Sequence, residues 1–500
     1  MEPTPKRLSR VLRILASAAG GLIILYLLLL IPPADPPVPK GASRTPFLWN
    51  QDQFWESLET QFQEARKAGC DALDARIAAS ISRTEQLLDG TAQERLDSAD
   101  QRFGLLEDEI FRLAPMIAAC PKRLPEYTTL FSRLRDVVKD QSAHWDMNKP
   151  DARQRLYRLL YGGRAAVEEA MLQAPVENVP SLVVGRDEPS QTPSTNILGV
   201  ALHSGDILVS RGGAATSALI ARGNDFPGNF SHIALVHVDE KTRAVSVIEA
   251  LIEKGVVVGS FDQYLASKKL RVMVLRLRSE LPPLHANPLL PHSAASLALE
   301  RAKSRRIPYD FEMDFRDHSK QFCSEVASAP YQELGVPLWM GMSHISSPGV
   351  TSWLASFGVR HFETQEPADL EFDPQLRVVA EWRNPETLFK DHADNAVTDV
   401  MLEDAEAGEK LGYSRSLLPL TRIAKGYSAL RNVFGGTGPV PEGMSSSTAL
   451  RTKQFAKRHA AINGRLLELA AEFKQRHGYT APYWELVNLA RQAKDEGKSK

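Results

Sequence analysis

Residues 230–251 read FSHIALVHVDEKTRAVSVIEAL, which is two apolar runs separated by five polar residues. The runs Phe230–Val238 and Ala244–Leu251 are short and rich in β-branched residues, a pattern typical of β-strands. The polar segment between them, DEKTR at 239–243, is short enough for the strands to pair as an antiparallel hairpin. The sequence therefore predicts a sheet whose core contains this hairpin.

Apolar runs on either side of the hairpin extend the predicted sheet. Asp206–Ser210 and Gly255–Val258 have the length of strands, and in Arg271–Arg278 successive side chains alternate between two faces. A helical pattern returns at His292–Ser304, and a second helix is expected to begin near Cys323. This arrangement predicts an α+β fold with an antiparallel sheet.

Before the predicted sheet, apolar residues recur with the period of a helix instead of that of a strand. Between Gln51 and Gln173, apolar residues such as Phe54, Leu58 and Phe62 recur at the spacing of one helix face. Five units are therefore expected: a transmembrane anchor and Pro-rich spacer at 1–40, a helical hairpin or bundle at 41–176, a linker at 177–196, the α+β domain at 197–383 and a mostly helical tail at 384–500.

The N-terminus has the composition of a membrane anchor. Four basic residues between Lys6 and Arg13 precede the uncharged stretch Ile14–Ile31, whose 18 residues span roughly 27 Å as a helix. The basic flank predicts a single-pass anchor in the inner (plasma) membrane, with a cytoplasmic N-terminus and the bulk of the chain on the periplasmic or extracytoplasmic side. A cleaved signal peptide is the alternative, but Ile31–Asp35 lacks a small-x-small cleavage site.

The charge balance argues against a nucleic-acid-binding protein, and the spacing of histidines and cysteines argues against a metalloenzyme. The chain has 60 Lys and Arg against 61 Asp and Glu and a net charge of -1, without the basic excess of a nucleic-acid-binding protein. No His-x-x-x-His or Cys-x-x-Cys spacing occurs, so no metal site and no cofactor are expected. The expected partners are the membrane and a substrate, whereas the oligomeric state is left open.

The chain has three cysteines, too few for a disulfide framework. Cys70 and Cys120 either form a disulfide or are two buried thiols. Cys323 is the third cysteine, which stands apart from this possible pair. In a helix that starts near Lys320 it falls in the first turn, where the helix N-terminus and an imidazole lower the pKa of a thiol. Pro330 is expected to end or kink this helix.

A histidine is the candidate for the base that takes the proton of the Cys323 thiol. His232 and His237 differ by an odd number of residues, so only one of them faces a site on either side of the strand. His232 lies at the strand's start and is the candidate base, whereas His237 beside the turn is expected to be exposed. A hairpin centred near Lys241 pairs position 232 with about position 250. Glu249 therefore either reaches His232 and fixes its tautomer, or is an ordinary exposed glutamate.

These segments, taken in order, resemble the circularly permuted NlpC-type papain-like family, in its YiiX/YaeF-like branch. The runs that carry the resemblance are Gly205–Arg211, Phe230–Val236, Ile248–Ala250 with Gly255–Val257, Tyr309–Phe311 and Phe322–Val326. The histidine precedes the cysteine by 91 residues, the reverse of the unpermuted order. The resemblance implies that 197–383 is a papain-like hydrolase domain, with Cys323 as nucleophile, His232 as base and Glu249 as the orienting residue.

Three further residues are expected to line the cleft and contact substrate: Ser231, Tyr309 and Asp310. The alternative for Tyr309 is a ring packed under its loop, and for Asp310 a carboxylate that caps a turn.

The expected activity is that of a cysteine hydrolase that transfers an acyl group through a thioester. The resemblance implies two substrate classes, an amide in cell-wall peptide and a fatty-acyl linkage in lipid or lipoprotein. A membrane-tethered lipid- or peptide-binding module on the same fold, without catalysis, is the alternative. A second alternative is a membrane-tethered scaffold whose N-terminal helices recruit partners.

Overall fold

The computed structural model describes residues 5–33, 37–47 and 54–498, with the side chains of 5–15, 54 and 55 outside the description. The helices are α1 Pro5–Leu30, α2 Phe54–Ala68, α3 Cys70–Ala92, α4 Gln101–Ala119, α5 Leu124–Ser142, α6 Pro150–Tyr157, α7 Gly163–Gln173, α8 Ala215–Arg222, α9 Phe261–Ala266, α10 Pro282–Ala286, α11 Leu290–Ser304, α12 Glu325–Glu333, α13 Pro348–Phe357, α14 Pro385–Glu406, α15 Leu418–Val433, α16 Ser446–His477 and α17 Tyr483–Lys498. The strands are β1 Leu182–Val184, β2 Ser194–Ile197, β3 Val200–His203, β4 Ile207–Gly212, β5 His232–Val238, β6 Val245–Leu251, β7 Gly255–Ser260, β8 Lys269–Leu277, β9 Ser343–His344, β10 Glu363–Thr364 and β11 Leu376–Arg383.

A seven-stranded sheet in the order β1-β11-β8-β4-β5-β6-β7 forms the centre of the molecule. Every neighbouring pair in it is antiparallel. The predicted α+β fold with an antiparallel sheet is therefore confirmed. One face of the sheet packs against α11 and α12, because β5 and β8 present apolar residues such as Ile233, Leu235 and Met273 to that side.

The segment predicted as a linker contributes a strand to this sheet. Leu182–Val184 pairs with β11 at the sheet's edge, where Leu182 lies opposite Trp382. Val183 is 6% exposed, so burial of an apolar side chain accompanies the pairing. The domain boundaries themselves stay a prediction.

Helices lie on both sides of the sheet domain along the chain. Helices α2–α7 share a core in which Phe103, Leu106 and Ile110 are at most 1% exposed. A disulfide between Cys70 and Cys120 joins the start of α3 to the end of α4, which decides between the two alternatives for these thiols. A second helical core is formed by α13, which precedes β11 in the chain, and by α14, α16 and α17, which follow it.

The first helix contains the stretch predicted to be an anchor. Its residues Leu22–Leu28 are 48–66% exposed. Among the residues whose side chains are described, no helix has both the length and the apolarity needed to cross a membrane. The predicted stretch begins at Ile14, and Ile14 and Leu15 lie outside those residues, as do 34–36 of the spacer.

Candidate active site

His232 and Glu249 meet on one face of the β5–β6 hairpin. Ala234 lies opposite Glu249 in the antiparallel register, so His232 is the diagonal neighbour of Glu249. His232 Nε2 lies 2.7 Å from Glu249 Oε2. The sequence placed position 232 opposite about 250, one residue away from this register. The observed register gives the two side chains the same parity and therefore the same face.

The charges of this pair follow from burial and mutual contact. Burial lowers the pKa of His232, and the hydrogen bond that His232 makes to Glu249 opposes that shift without cancelling it. Burial raises the pKa of Glu249, but the hydrogen bond and charge of His232, with Lys269, outweigh it and lower the pKa. A neutral imidazole beside an ionised carboxylate carries its proton on Nε2 and donates it to Glu249. His232 Nδ1 is therefore the basic nitrogen.

Cys323 lies two residues before Glu325, the first residue of α12, and Ser324 between them occupies the N-cap position. The expected start near Lys320 is wrong, because Gln321 is held in extended backbone against the preceding loop. Its N–H donates to Pro308 O at 2.9 Å, and its carbonyl accepts from Asp310 N at 3.1 Å. Helix α12 also runs three residues beyond Pro330, where the sequence predicted an end or a kink.

The thiol of Cys323 is buried against the first residues of β5. It is 5% exposed and packs in the same apolar core as Ile233. Burial raises the pKa of Cys323 to about 12, while hydrogen bonds from the Ile233 backbone and from Ser324 act in the opposite direction. The lowered thiol pKa expected from the sequence is therefore wrong for the free protein. At neutral pH the thiol is protonated and needs a base.

The sequence did not indicate three side chains around the thiol, of which Tyr264 and Glu366 are buried and Lys269 is partly buried. Lys269 Nζ lies 4.0 Å from Glu249 Oε2 and 4.3 Å from the ring centroid of Tyr264. Both Lys269 and Tyr264 are close enough to Cys323 for its charge to affect their pKa. Burial raises the pKa of Glu366 to about 8, so this neighbour of Cys323 is mostly protonated at neutral pH. Tertiary packing alone brings them together.

The three residues predicted to contact substrate have different surroundings in the structure. Tyr309 is half-buried, and its ring packs edge-to-face against that of Phe311. Burial is the main cause that raises the pKa of its phenol, and the nearby thiolate of Cys323 would raise it further. Asp310 is fully buried, and its carboxylate accepts the N–H groups of Glu312 and Asp314.

Asp310 thus matches its alternative, a carboxylate that organises a turn. Ser231 is 3% exposed, and its N–H donates to Ser210 O at 2.9 Å. A substrate role for Ser231, Tyr309 and Asp310 stays a prediction.

Glu325 organises the turn that carries the nucleophile. Its carboxyl accepts the Phe322 N–H at 3.1 Å and lies 3.1 Å from His318 Nδ1. Burial raises the pKa of Glu325 to about 9, so it is protonated at neutral pH. The sequence showed this residue within the Cys-Ser-Glu run without indicating its structural role.

Residues 201–380 match the model of a family described as permuted papain-like amidase enzymes, YaeF/YiiX, C92. The match includes His232, Glu249 and Cys323 and confirms the predicted resemblance. It supports a cysteine hydrolase type of activity. No curated protein and no solved structure matches the chain.

Proposed function

We propose, from the amidase match over residues 201–380, that the protein is a cysteine hydrolase whose nucleophile is Cys323 and whose base is His232. The observation that carries the proposal is the 2.7 Å contact between His232 and Glu249, together with the hydrogen bond between the Cys323 thiol and the backbone of Ile233, the residue next to His232. This contact leaves His232 Nδ1 unprotonated, which is the state that a general base requires.

The proposed reaction is acyl transfer in two steps. His232 Nδ1 takes the thiol proton as Cys323 Sγ attacks the carbonyl carbon of an amide or ester. The tetrahedral intermediate expels an amine or alcohol, which receives that proton, and a thioester remains. Water then gives its proton to His232 and attacks the thioester, and the departing thiolate recovers the proton. Backbone N–H groups at the start of α12 are suited to stabilise the oxyanion.

We propose a membrane-anchored enzyme that acts on the outer side. The exposed apolar residues Leu22–Leu28 of α1 support the anchor, and the basic residues before them support a cytoplasmic N-terminus. The Cys70–Cys120 disulfide supports an oxidising, extracytoplasmic compartment for the rest of the chain. Cell-wall peptide amides and lipid or lipoprotein acyl groups are the two proposed substrate classes in that compartment.

Acylation by p-nitrophenyl butyrate tests the nucleophile directly. Cys323 is the free thiol of the three cysteines, so mass spectrometry under non-reducing conditions identifies its butyryl adduct. We expect a nitrophenol burst and an adduct on the Cys323 peptide. Cys323→Ala abolishes both, and His232→Ala slows the burst by about 10²–10⁴-fold. Replacement of the exposed His285 by alanine is the matched control and leaves the burst unchanged.

Two outcomes contradict the proposal. Wild-type protein that is never acylated supports the alternative of a binding module. A burst that survives Cys323→Ala assigns the chemistry to another residue. Hydrolysis rates on cell-wall peptides and on acylated lipids, measured with the same variants, then choose between the substrate classes.

A further inference from the structure

Helix α15 presents an uncovered apolar face. Its large apolar residues recur every three or four positions, so they lie on one side of the helix. They are Leu420, Ile423, Tyr427 and Leu430, followed by Phe434 just beyond the helix end, and they are 52–81% exposed. The opposite side packs into the protein through Leu418 and Ser428, which are at most 2% exposed. A continuous exposed apolar stripe of this kind is typical of a surface that contacts a partner or a membrane.

This face lies at the end of the proposed membrane anchor. The guanidinium of Arg422 donates to the carbonyls of Leu29 at 2.9 Å and Ile31 at 2.8 Å. Leu29 is in the last turn of α1 and Ile31 follows its end, where backbone carbonyls have no partner within the helix. Helix α15 is therefore fixed at the point where the anchor's apolar stretch stops, with both exposed apolar surfaces on the same part of the molecule.

The charges of α15 favour an anionic surface as the occupant. Residues 418–433 contain no Asp or Glu and three cations, Arg422, Lys425 and Arg431. Tyr427, with an apolar ring and a polar hydroxyl, is a residue type favoured at membrane interfaces. An amphipathic helix with apolar residues on one side and Lys and Arg beside them binds in the headgroup region of a bilayer.

We propose that α15 lies in the interface of the bilayer beside the exit of α1, with its apolar face toward the acyl chains and its cations toward the lipid phosphates. The proposal rests on the anchor proposed for α1 and is independent of catalysis at Cys323. It gives the protein a second membrane contact, which fixes the orientation of the body on the membrane.

The contact has a consequence for the active site. The chain that follows α15 returns to the loop that carries Tyr309. A Cβ added at Gly443 would lie 3.3 Å from Cδ2 of Phe311, and the Phe311 ring is 5.1 Å from that of Tyr309. The loop that carries Tyr309 therefore adjoins the segment that follows the helix placed at the bilayer by this proposal.

Lipid contact at α15 is tested with the full chain in nanodiscs that contain phosphatidylglycerol. In a Cys323→Ser background, Ile423→Cys is labelled with the fluorophore NBD, and Arg76→Cys on α3, also exposed, is the matched control. Doxyl-labelled lipids quench only probes that touch acyl chains or headgroups. We expect loss of emission at position 423 and none at position 76. Adding Leu420→Glu and Leu430→Glu abolishes the quenching, while α1 keeps the protein in the nanodisc.

Three results overturn the proposal. An unquenched probe at position 423 in a protein that co-elutes with nanodiscs rejects the α15 contact and leaves the anchor intact. A blue-shifted probe that doxyl lipids do not quench shows that protein, such as a second copy, covers the face. Failure to co-elute with nanodiscs rejects both the anchor and the α15 contact. None of these readouts depends on the hydrolase activity.

Discussion

The 2.7 Å hydrogen bond between His232 Nε2 and Glu249 Oε2 determines which ring nitrogen is basic. A neutral imidazole has one N–H, and the ionised carboxylate binds it on Nε2. Glu249 also opposes the effect of burial on the pKa of His232. One carboxylate thus sets both the tautomer and the proton affinity of the proposed base.

Glu249→Gln separates this role from a merely structural one. Glutamine keeps the size of the side chain and removes the charge that stabilises the imidazolium, so we expect kcat to fall by about 10²-fold or more. Thermal stability and KM change little. The control is Glu85→Gln, an exposed position on α3, which leaves kcat intact. An unchanged kcat in Glu249→Gln contradicts the orienting role.

The pH profile of kcat/KM reports the state of the proposed base. His232 accepts a proton only when neutral, and its pKa is lowered from 6.5. Activity is therefore present at pH 7 and is lost as the pH falls through the His232 pKa, below 6.5. Because Glu249 raises that pKa, Glu249→Gln moves the acid limb to lower pH. An alkaline limb near neutrality would instead indicate a thiolate–imidazolium pair at rest.

At the scale of elements, the turn before α12 places the nucleophile. Gln321 in extended backbone delays the helix, and the carboxyl of Glu325 accepts the Phe322 N–H at the turn. Cys323 is held between these two constraints, next to the start of β5. Local helix propensity alone favours an earlier start, but the backbone pairing with the 308–310 loop prevents it.

Two substitutions at Glu325 test this turn. Glu325→Ala leaves the buried Phe322 N–H without an acceptor, which we expect to cost about 1–3 kcal/mol of unfolding free energy. Glu325→Gln is expected to be nearly neutral in stability, because the native carboxyl is already protonated at pH 7 and an amide oxygen accepts the same N–H. Urea denaturation measures both. Equal losses in the two variants would show that the negative charge, rather than the acceptor, matters.

At the scale of the whole molecule, a buried ion cluster joins the three parts of the chain. Glu168 on α7 accepts from Arg271 on β8 at 2.6 Å and from Arg383 on β11 at 3.2 Å. His392 on α14 lies 3.1 Å from the same carboxylate. Burial raises the pKa of Glu168, but the surrounding cations outweigh it and keep the group ionised. The N-terminal helices, the sheet and the C-terminal helices therefore share one polar centre.

Glu168→Ala is expected to lower the unfolding temperature of the N-terminal helices, the sheet and the C-terminal helices together, in one transition. It removes a carboxylate that two buried guanidinium groups share, although Arg271 keeps Asp391 at 2.7 Å and Arg383 keeps Glu381 at 3.9 Å. Breaking a buried pair costs about 3–5 kcal/mol. The measurement is thermal unfolding followed both by far-ultraviolet circular dichroism and by tryptophan fluorescence. Glu177→Ala, at an exposed position just after the bundle, is the control and leaves the transition unchanged. Separate transitions in the wild type would contradict a single cooperative body.

The sequence by itself determined the sheet, its hairpin and the candidate pair. Alternating side chains fix strand faces locally, so parity separated His232 from His237, and the order of the motifs indicated Glu249 although the predicted register was one residue off. The three cysteines likewise left one odd thiol. These features depend on neighbours along the chain, which is why they are readable without coordinates.

Only the tertiary structure decided the remainder of the site. His237, expected to be exposed, is 9% exposed because its ring packs 5.2 Å from that of His292 on α11. The start of α12 and the pKa of Cys323 depend on a loop and a core that are distant in sequence. Burial and long-range pairing arise from segments that meet only in the fold, so local pattern carries no signal for them.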